Sequence, residues 1–177
     1  LDVSGMVEVV SSLERDGRPV YKDLRWGVYV VLEAPNDYTA SCFRQYGMNT
    51  DETGRFSAMY KPFHLIGLEL NISILAAALL SKATGSAKVF SGDVVATAKR
   101  SLKAGEILDG EGGYTVWGKL CSAKHSIEMD ALPIGLAQGL KLRKDIPKDE
   151  MLRLSDVELD MTCRAFKLRQ LMKKNHN

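Results

Sequence analysis

The longest apolar run in the chain extends from Tyr60 to Leu80, broken only by a few polar positions such as His64, Glu69, Asn71 and Ser73. The pattern predicts the longest helix of the protein. Pro62 stands where a proline is best tolerated, at the first helical position, and Gly85 after Ser81-Lys82-Ala83-Thr84 supplies a stop. From Pro62 to Lys82 such a helix would be about 30 Å long. Apolar residues run almost all round it, which predicts burial on most sides. Its polar groups are costly in lipid, so it reads as a core or dimer-interface helix, not a membrane span.

Upstream, the patterning alternates between strand and turn. Met6–Val10 is a short apolar run, followed by a turn over Glu14–Pro19. Trp26–Glu33 is aromatic and β-branched, apolar on both faces, and predicts a central strand. Asn36 then caps a short helix through Cys42, Phe43 and Tyr46 that ends at Gly47. Asp51–Gly54 is a turn, and Arg55–Tyr60 a short strand leading to the long helix.

After Gly85 and Gly92 the character changes to short β segments joined by turns, beginning with Val94–Ala98. An internal repeat stands out here. Lys99–Leu108 matches Arg143–Leu152: basic-basic, small polar, aliphatic, a three-residue turn, then Glu-aliphatic-Leu. Gly105 aligns with Asp149, two residue types that tolerate a left-handed turn. The repeat predicts two related hairpins in one small β domain. Gly110-Glu111-Gly112-Gly113 reads as the loop between them. From Leu159 to Asn177, basic residues alternate with Met161, Phe166, Leu168, Leu171 and Met172, predicting an amphipathic helix that packs back on the protein.

Composition changes this picture little. The 177 residues are 45% hydrophobic and 26% charged, with a net charge of +2, ordinary for a globular protein and no sign of nucleic-acid binding. Three scattered cysteines, Cys42, Cys121 and Cys163, lack zinc-ligand spacing and fit a reducing cytoplasm. The first residues show no signal-peptide pattern, so a cytoplasmic location is expected. A start at Leu1 leaves room for the chain to be a piece of something longer.

Chemistry is expected at the start of the long helix. A helix N-terminus offers free N–H groups and partial positive charge. Arg55, Tyr60 and Lys61 lead into it and His64 falls in its first turn, together a receptor for phosphate or carboxylate. That setting suits His64 to proton transfer near neutral pH. The same residues also fit a capped helix with solvated basic side chains. Glu33 closes its strand at an edge where side chains often face a site.

Two resemblances join these observations. Ala98–Leu108, Lys144-Asp145-Ile146-Pro147 and Leu154–Val157 make Val94–Leu159 resemble a SAF domain, a β-clip fold found in sialic acid synthases, sugar-acid dehydratases and flagellar P-ring assembly proteins. Leu13–Pro19, Leu24–Tyr29 and Tyr60–Glu69 resemble a bacterial NAD(P)H-dependent oxidoreductase family similar to homoserine dehydrogenase, which includes 1-deoxy-D-xylulose 5-phosphate reductoisomerase-like enzymes. The resemblance implies a Rossmann domain, then an α/β catalytic and dimerisation domain, then a SAF domain. No GxGxxG follows a strand in this sequence, so the chain is expected to be the catalytic-plus-SAF portion of a larger enzyme, inactive alone.

The resulting expectation is an α+β protein. A catalytic and dimerisation domain with one long buried helix spans residues 1–92, a β-clip SAF domain 93–160 and a C-terminal helix 161–177. The parent enzyme would use NADPH, with no cofactor site in this chain, and a divalent metal is a candidate second cofactor. Its substrate would be a small phosphorylated or carboxylated metabolite. By residue chemistry, Lys61 and Arg55 would hold that anion, His64 and Tyr60 would handle protons, and Glu33 or Glu69 would orient the base or ligate a metal. A homodimer is expected from the apolar helix. The alternative is a non-catalytic module for sugar-acid binding or oligomerisation, in which Tyr114 and Trp117 stack on a sugar ring; hairpin packing is the plainer role for both. A flagellar assembly protein is a weaker third reading, because such proteins are exported.

Overall fold

The computed structural model describes residues 7–10, 18, 27–86 and 88–176. The turn expected over Glu14–Pro19 lies, apart from Arg18, outside the described residues. The chain divides into two compact units, Leu1–Lys88 and Val89–Asn177. The whole is mixed α and β.

The first unit holds an antiparallel sheet of β1 (Val7–Val10), β2 (Gly27–Glu33) and β3 (Phe56–Lys61), with β2 in the middle. The two-faced apolar run of β2 suits this central position. Its register pairs Val28 with Lys61 and Glu33 with Phe56. Between β2 and β3 runs α1 (Asp37–Gln45), whose Asn36 cap accepts a hydrogen bond from the Thr39 amide at 2.9 Å. Gly47 follows with φ +70, as a helix-ending glycine should. Asp51 then ties the return turn, accepting from the Phe56 amide at 2.9 Å and the Thr53 hydroxyl at 2.7 Å. The buried residues of this unit include Gly27, Val31, Ala34, Ala40, Gly54 and Ser57.

The long helix, α2, spans Ile66–Leu80, fifteen residues. It does not begin at Pro62: β3 runs through Lys61, and Pro62–Leu65 connect strand to helix. Nor does Gly85 stop it. Ser81 adopts the left-handed conformation at φ 52, and the Lys82 amide bonds back to the Ala76 carbonyl at 3.2 Å, closing the last turn. Burial is the larger correction, since no residue of α2 is buried and Leu68, Ile72 and Leu79 are 68%, 68% and 74% exposed. An all-round apolar pattern gives a helix no preferred inner face, so sequence pattern alone overstates its burial.

In the second unit β4 (Gly92–Ala98) pairs antiparallel with β5 (Val116–Ser122), Ala98 opposite Val116. A helix the pattern did not predict, α3 (Ala123–Met129), follows directly; Ser122 caps it by accepting from the His125 amide at 3.2 Å. Single turns of 3₁₀ helix occur at Ile134–Leu136 and Leu154–Asp156. The two repeats pair with each other. Leu102 and Ile146 exchange backbone hydrogen bonds of 2.8 and 3.0 Å. The flanking bonds come in matched pairs: Gly105 to Leu142 with Asp149 to Ala98, and Leu108 to Leu140 with Leu152 to Ala96. Gly105 (φ 87) and Asp149 (φ 66) both take the left-handed turn. An approximate two-fold axis therefore passes between Leu102 and Ile146. Around it lies the core, which includes Leu102, Leu108, Val116, Leu132, Leu142, Ile146 and Leu152.

The C-terminal helix α4 (Arg164–His176) packs on this unit as expected. Phe166 enters the core, and buried Arg169 donates to the Asp93 carboxylate of β4 and, at 3.1 Å, to the Ser126 hydroxyl of α3. The Arg169 guanidinium also lies over the Phe90 ring, 5.0 Å from its centre.

Candidate functional site

The polar cluster of the first unit forms where β3 gives way to α2. The β2–β3 register places Lys61 at the last position of its strand, opposite Val28. Pro62 denies the chain an amide for further ladder pairing, and the chain turns through Phe63 and His64 into α2. Glu69, in the first turn of α2, faces back over this connection. One of its carboxylate oxygens accepts from the Lys61 ammonium, and the other lies 3.0 Å from His64 Nδ1. Lys61 also lies over the Phe63 ring, 5.2 Å from its centre. Hydrogen bonding from Lys61 is the main influence lowering the Glu69 carboxyl below its ordinary range; partial burial opposes it, and His64 adds to the lowering. All three side chains remain partly open to solvent, at 42% for Lys61, 37% for His64 and 26% for Glu69.

Gly27 makes this arrangement possible. It opens β2 with φ 137, and a Cβ there would fall 2.1 Å from the Lys61 carbonyl oxygen and 2.8 Å from the Tyr60 ring. Only a glycine lets the two strands approach at this point. Neither Gly27 nor the bridging place of Glu69 between two partners is evident from sequence pattern; a glycine at the mouth of an apolar strand was the available signal.

The remaining candidates fall elsewhere. Tyr60 precedes Lys61 on β3, so strand alternation turns it to the opposite face of the sheet. Arg55 and Glu33 are at the far end of the same strand pair, about 20 Å of strand from Lys61. Arg55 instead braces the start of α1, pairing with Asp37 at 3.0 Å and donating to the Ala34 carbonyl at 3.3 Å. His64 precedes α2 and does not stand in its first turn; its partner is a carboxylate, not the helix N-terminus. Tyr114 and Trp117 belong to the second unit, Tyr114 exposed beside the glycine-rich loop and Trp117 half-buried in β5.

Among the described residues no group of three or more His, Cys, Asp or Glu is placed to hold a metal ion. The named strand pairs there are all antiparallel, and no glycine-rich turn joins a strand to a helix in a parallel unit. The described residues therefore lack the parallel strand–turn–helix unit on which the pyrophosphate of a dinucleotide rests. No helix among them is long and apolar enough to cross a membrane.

Comparison with known proteins supports an oxidoreductase catalytic domain in the first part of the chain. The family whose model matches is described as Oxidoreductase DRL, catalytic domain, and the match covers residues 1–70, including Lys61, His64 and Glu69. No curated protein matches the chain.

Proposed function

We propose that the first unit contributes part of the active site of an NAD(P)H-dependent oxidoreductase acting on a small phosphorylated or carboxylated metabolite. The observation that carries this reading is the convergence of Lys61 and His64 on one carboxylate, inside the stretch matched by an oxidoreductase catalytic domain. Lys61 supplies the fixed positive charge for the anionic group of the substrate. His64, with a ring nitrogen held by Glu69, is the group that moves a proton. Glu69 orients both in the free site. The dinucleotide would supply hydride from a domain outside these residues, in line with the homoserine dehydrogenase-like and reductoisomerase-like resemblance.

The test is NADPH oxidation by the longest natural polypeptide that carries this chain, screened over small phosphorylated and carboxylated aldehydes and ketones. Lys61→Met and His64→Gln should each abolish most of the turnover found. Undiminished turnover in both variants would sink the site assignment, and no turnover with any of these carbonyl compounds would sink the substrate class.

For the second unit we propose a SAF-type β-clip module. Its support is the pairing of the two repeats across Leu102 and Ile146, within the stretch that resembles that domain. Exposed Tyr114 offers a ring for a sugar acid to stack on. Titration with gluconate, monitored by tryptophan fluorescence and repeated in Tyr114→Ala, distinguishes a binding module from a purely structural one. The exposed apolar surface of α2 favours a homodimer, which sedimentation over a concentration range would reveal.

A further inference from the structure

Glu69 occupies the place an anionic ligand would take. Its two oxygens satisfy Lys61 and His64 separately, the same two-point contact that a phosphate or carboxylate makes. Among the described residues Glu69 is the ion-pair partner of both side chains, and the Phe63 ring lies beneath Lys61. The cluster is open enough for solutes to reach it, with Lys61 and His64 each more than a third exposed.

We infer that Glu69 is a built-in, displaceable counter-ion: it fills the Lys61–His64 receptor in the free protein and is exchanged for the oxyanion of the ligand on binding. The inference deepens the oxidoreductase reading and rests on its assignment of Lys61 to the substrate anion. Glu69 is carried on α2 whereas Lys61 ends β3, so a side-chain rotation of Glu69 frees the receptor without moving the strand. The exchange preserves the charge balance of Lys61, which would otherwise lose its partner when the ligand leaves. It also sets selectivity: a ligand must offer more than a single carboxylate already tethered at high local concentration, so a dianionic phosphate is favoured over a monocarboxylate.

The probe is inorganic phosphate, titrated at constant ionic strength into the full chain and followed by the ring resonances of His64. Glu69→Gln removes a repelling charge about 5 Å from the bound anion and should tighten phosphate roughly five- to tenfold. That gain should vanish when Lys61→Met is added. Unchanged or weaker binding in Glu69→Gln would overturn the exchange. In the unmutated protein, saturating phosphate should shift the Glu69 carboxyl carbon toward the position of a free carboxylate, and a stationary signal there would overturn it without any variant. Phosphate exchange seen without any NADPH-dependent turnover would discard the oxidoreductase reading alone. Turnover that needs Lys61 but phosphate affinity indifferent to Glu69 would discard the exchange alone.

Discussion

Leu102 and Ile146 are counterparts in the internal repeat and also direct partners, each donating its amide to the other's carbonyl. Both side chains are 1% exposed. Truncating either removes the same kind of contact from the same place, so Leu102→Ala and Ile146→Ala should destabilise the second unit by similar amounts, about 2–5 kcal/mol each. The double variant should cost less than the sum, because the two cavities merge. Urea denaturation of the four proteins gives the comparison; strongly unequal single costs would contradict the two-fold relation.

Gly105 offers a cleaner test of the turns. Its φ of 87 strains any side chain, while an added Cβ would meet only the end of Lys141 at 4.0 Å. Gly105→Ala should therefore lose roughly 1–2 kcal/mol through backbone strain alone. Gly113→Ala is different in kind. Its Cβ would fall 2.1 Å from the Asp109 carboxyl carbon, so the loop must rearrange. Thermal melts should show the second loss exceeding the first.

Asp109 governs the acid limit of that loop. Hydrogen bonds from the Thr115 hydroxyl, then from the Tyr114 and Thr115 amides, lower its pKa from 3.8 to about 2. A carboxyl lowered in the folded state adds stability that is full above its unfolded value and fades as pH falls toward about 2. The exposure of Asp109 keeps the effect small. Asp109→Asn should flatten the pH dependence of the melting temperature between about 4 and 2 and leave it unchanged near neutrality.

The anchor of α4 is a buried charge pair, Arg169 with Asp93, at 7% and 9% side-chain exposure. Arg169→Leu would leave Asp93 buried without its cation and should cost about 3–5 kcal/mol. Asp93→Asn combined with Arg169→Leu should recover part of that loss, since the stranded charge is gone. Denaturation midpoints of the single and double variants decide it.

Placement separates the candidate site residues kinetically. Lys61→Met should lower kcat/KM by about a hundredfold or more, the loss expected when a charge contact to substrate is removed. Gly27→Ala should lower it by displacing the Lys61 backbone. Arg55→Ala should leave it unchanged and cost at most about 1 kcal/mol of stability, because its ion pair with Asp37 is exposed. A kinetic defect in Arg55→Ala as large as that in Lys61→Met would argue for a site at the other end of the sheet.

What the sequence made legible was local or repeated. Two-faced apolarity placed β2 at the centre of its sheet, the Asn36 cap and Gly47 bounded α1, and the repeat foretold the left-handed turns at Gly105 and Asp149. Other features depended on partners distant in sequence. The start of α2 is not legible in the sequence, because Pro62 suits a helix opening and a strand exit alike, and β3 takes Lys61. Burial of α2 was inferred from apolarity that has no direction. Seven residues of α3 show too little periodicity to register. Arg169 reads as one more basic residue of an amphipathic helix, and only the fold brings Asp93 and Ser126 to it. In the site, Glu69 was visible as an acid near Lys61 and His64, but its bridging of the two was not.

The interlocking of the repeats bears on how the second unit tolerates a broken chain. Each repeat supplies the hydrogen-bond partners of the other, so neither half has a ladder of its own to fold on. The exposed loop at Glu111-Gly112 lies between them. A protease cut there would sever the polypeptide without severing the core. The two fragments should stay associated, co-elute as one species and separate only in denaturant, and they should reassemble when mixed after separate synthesis.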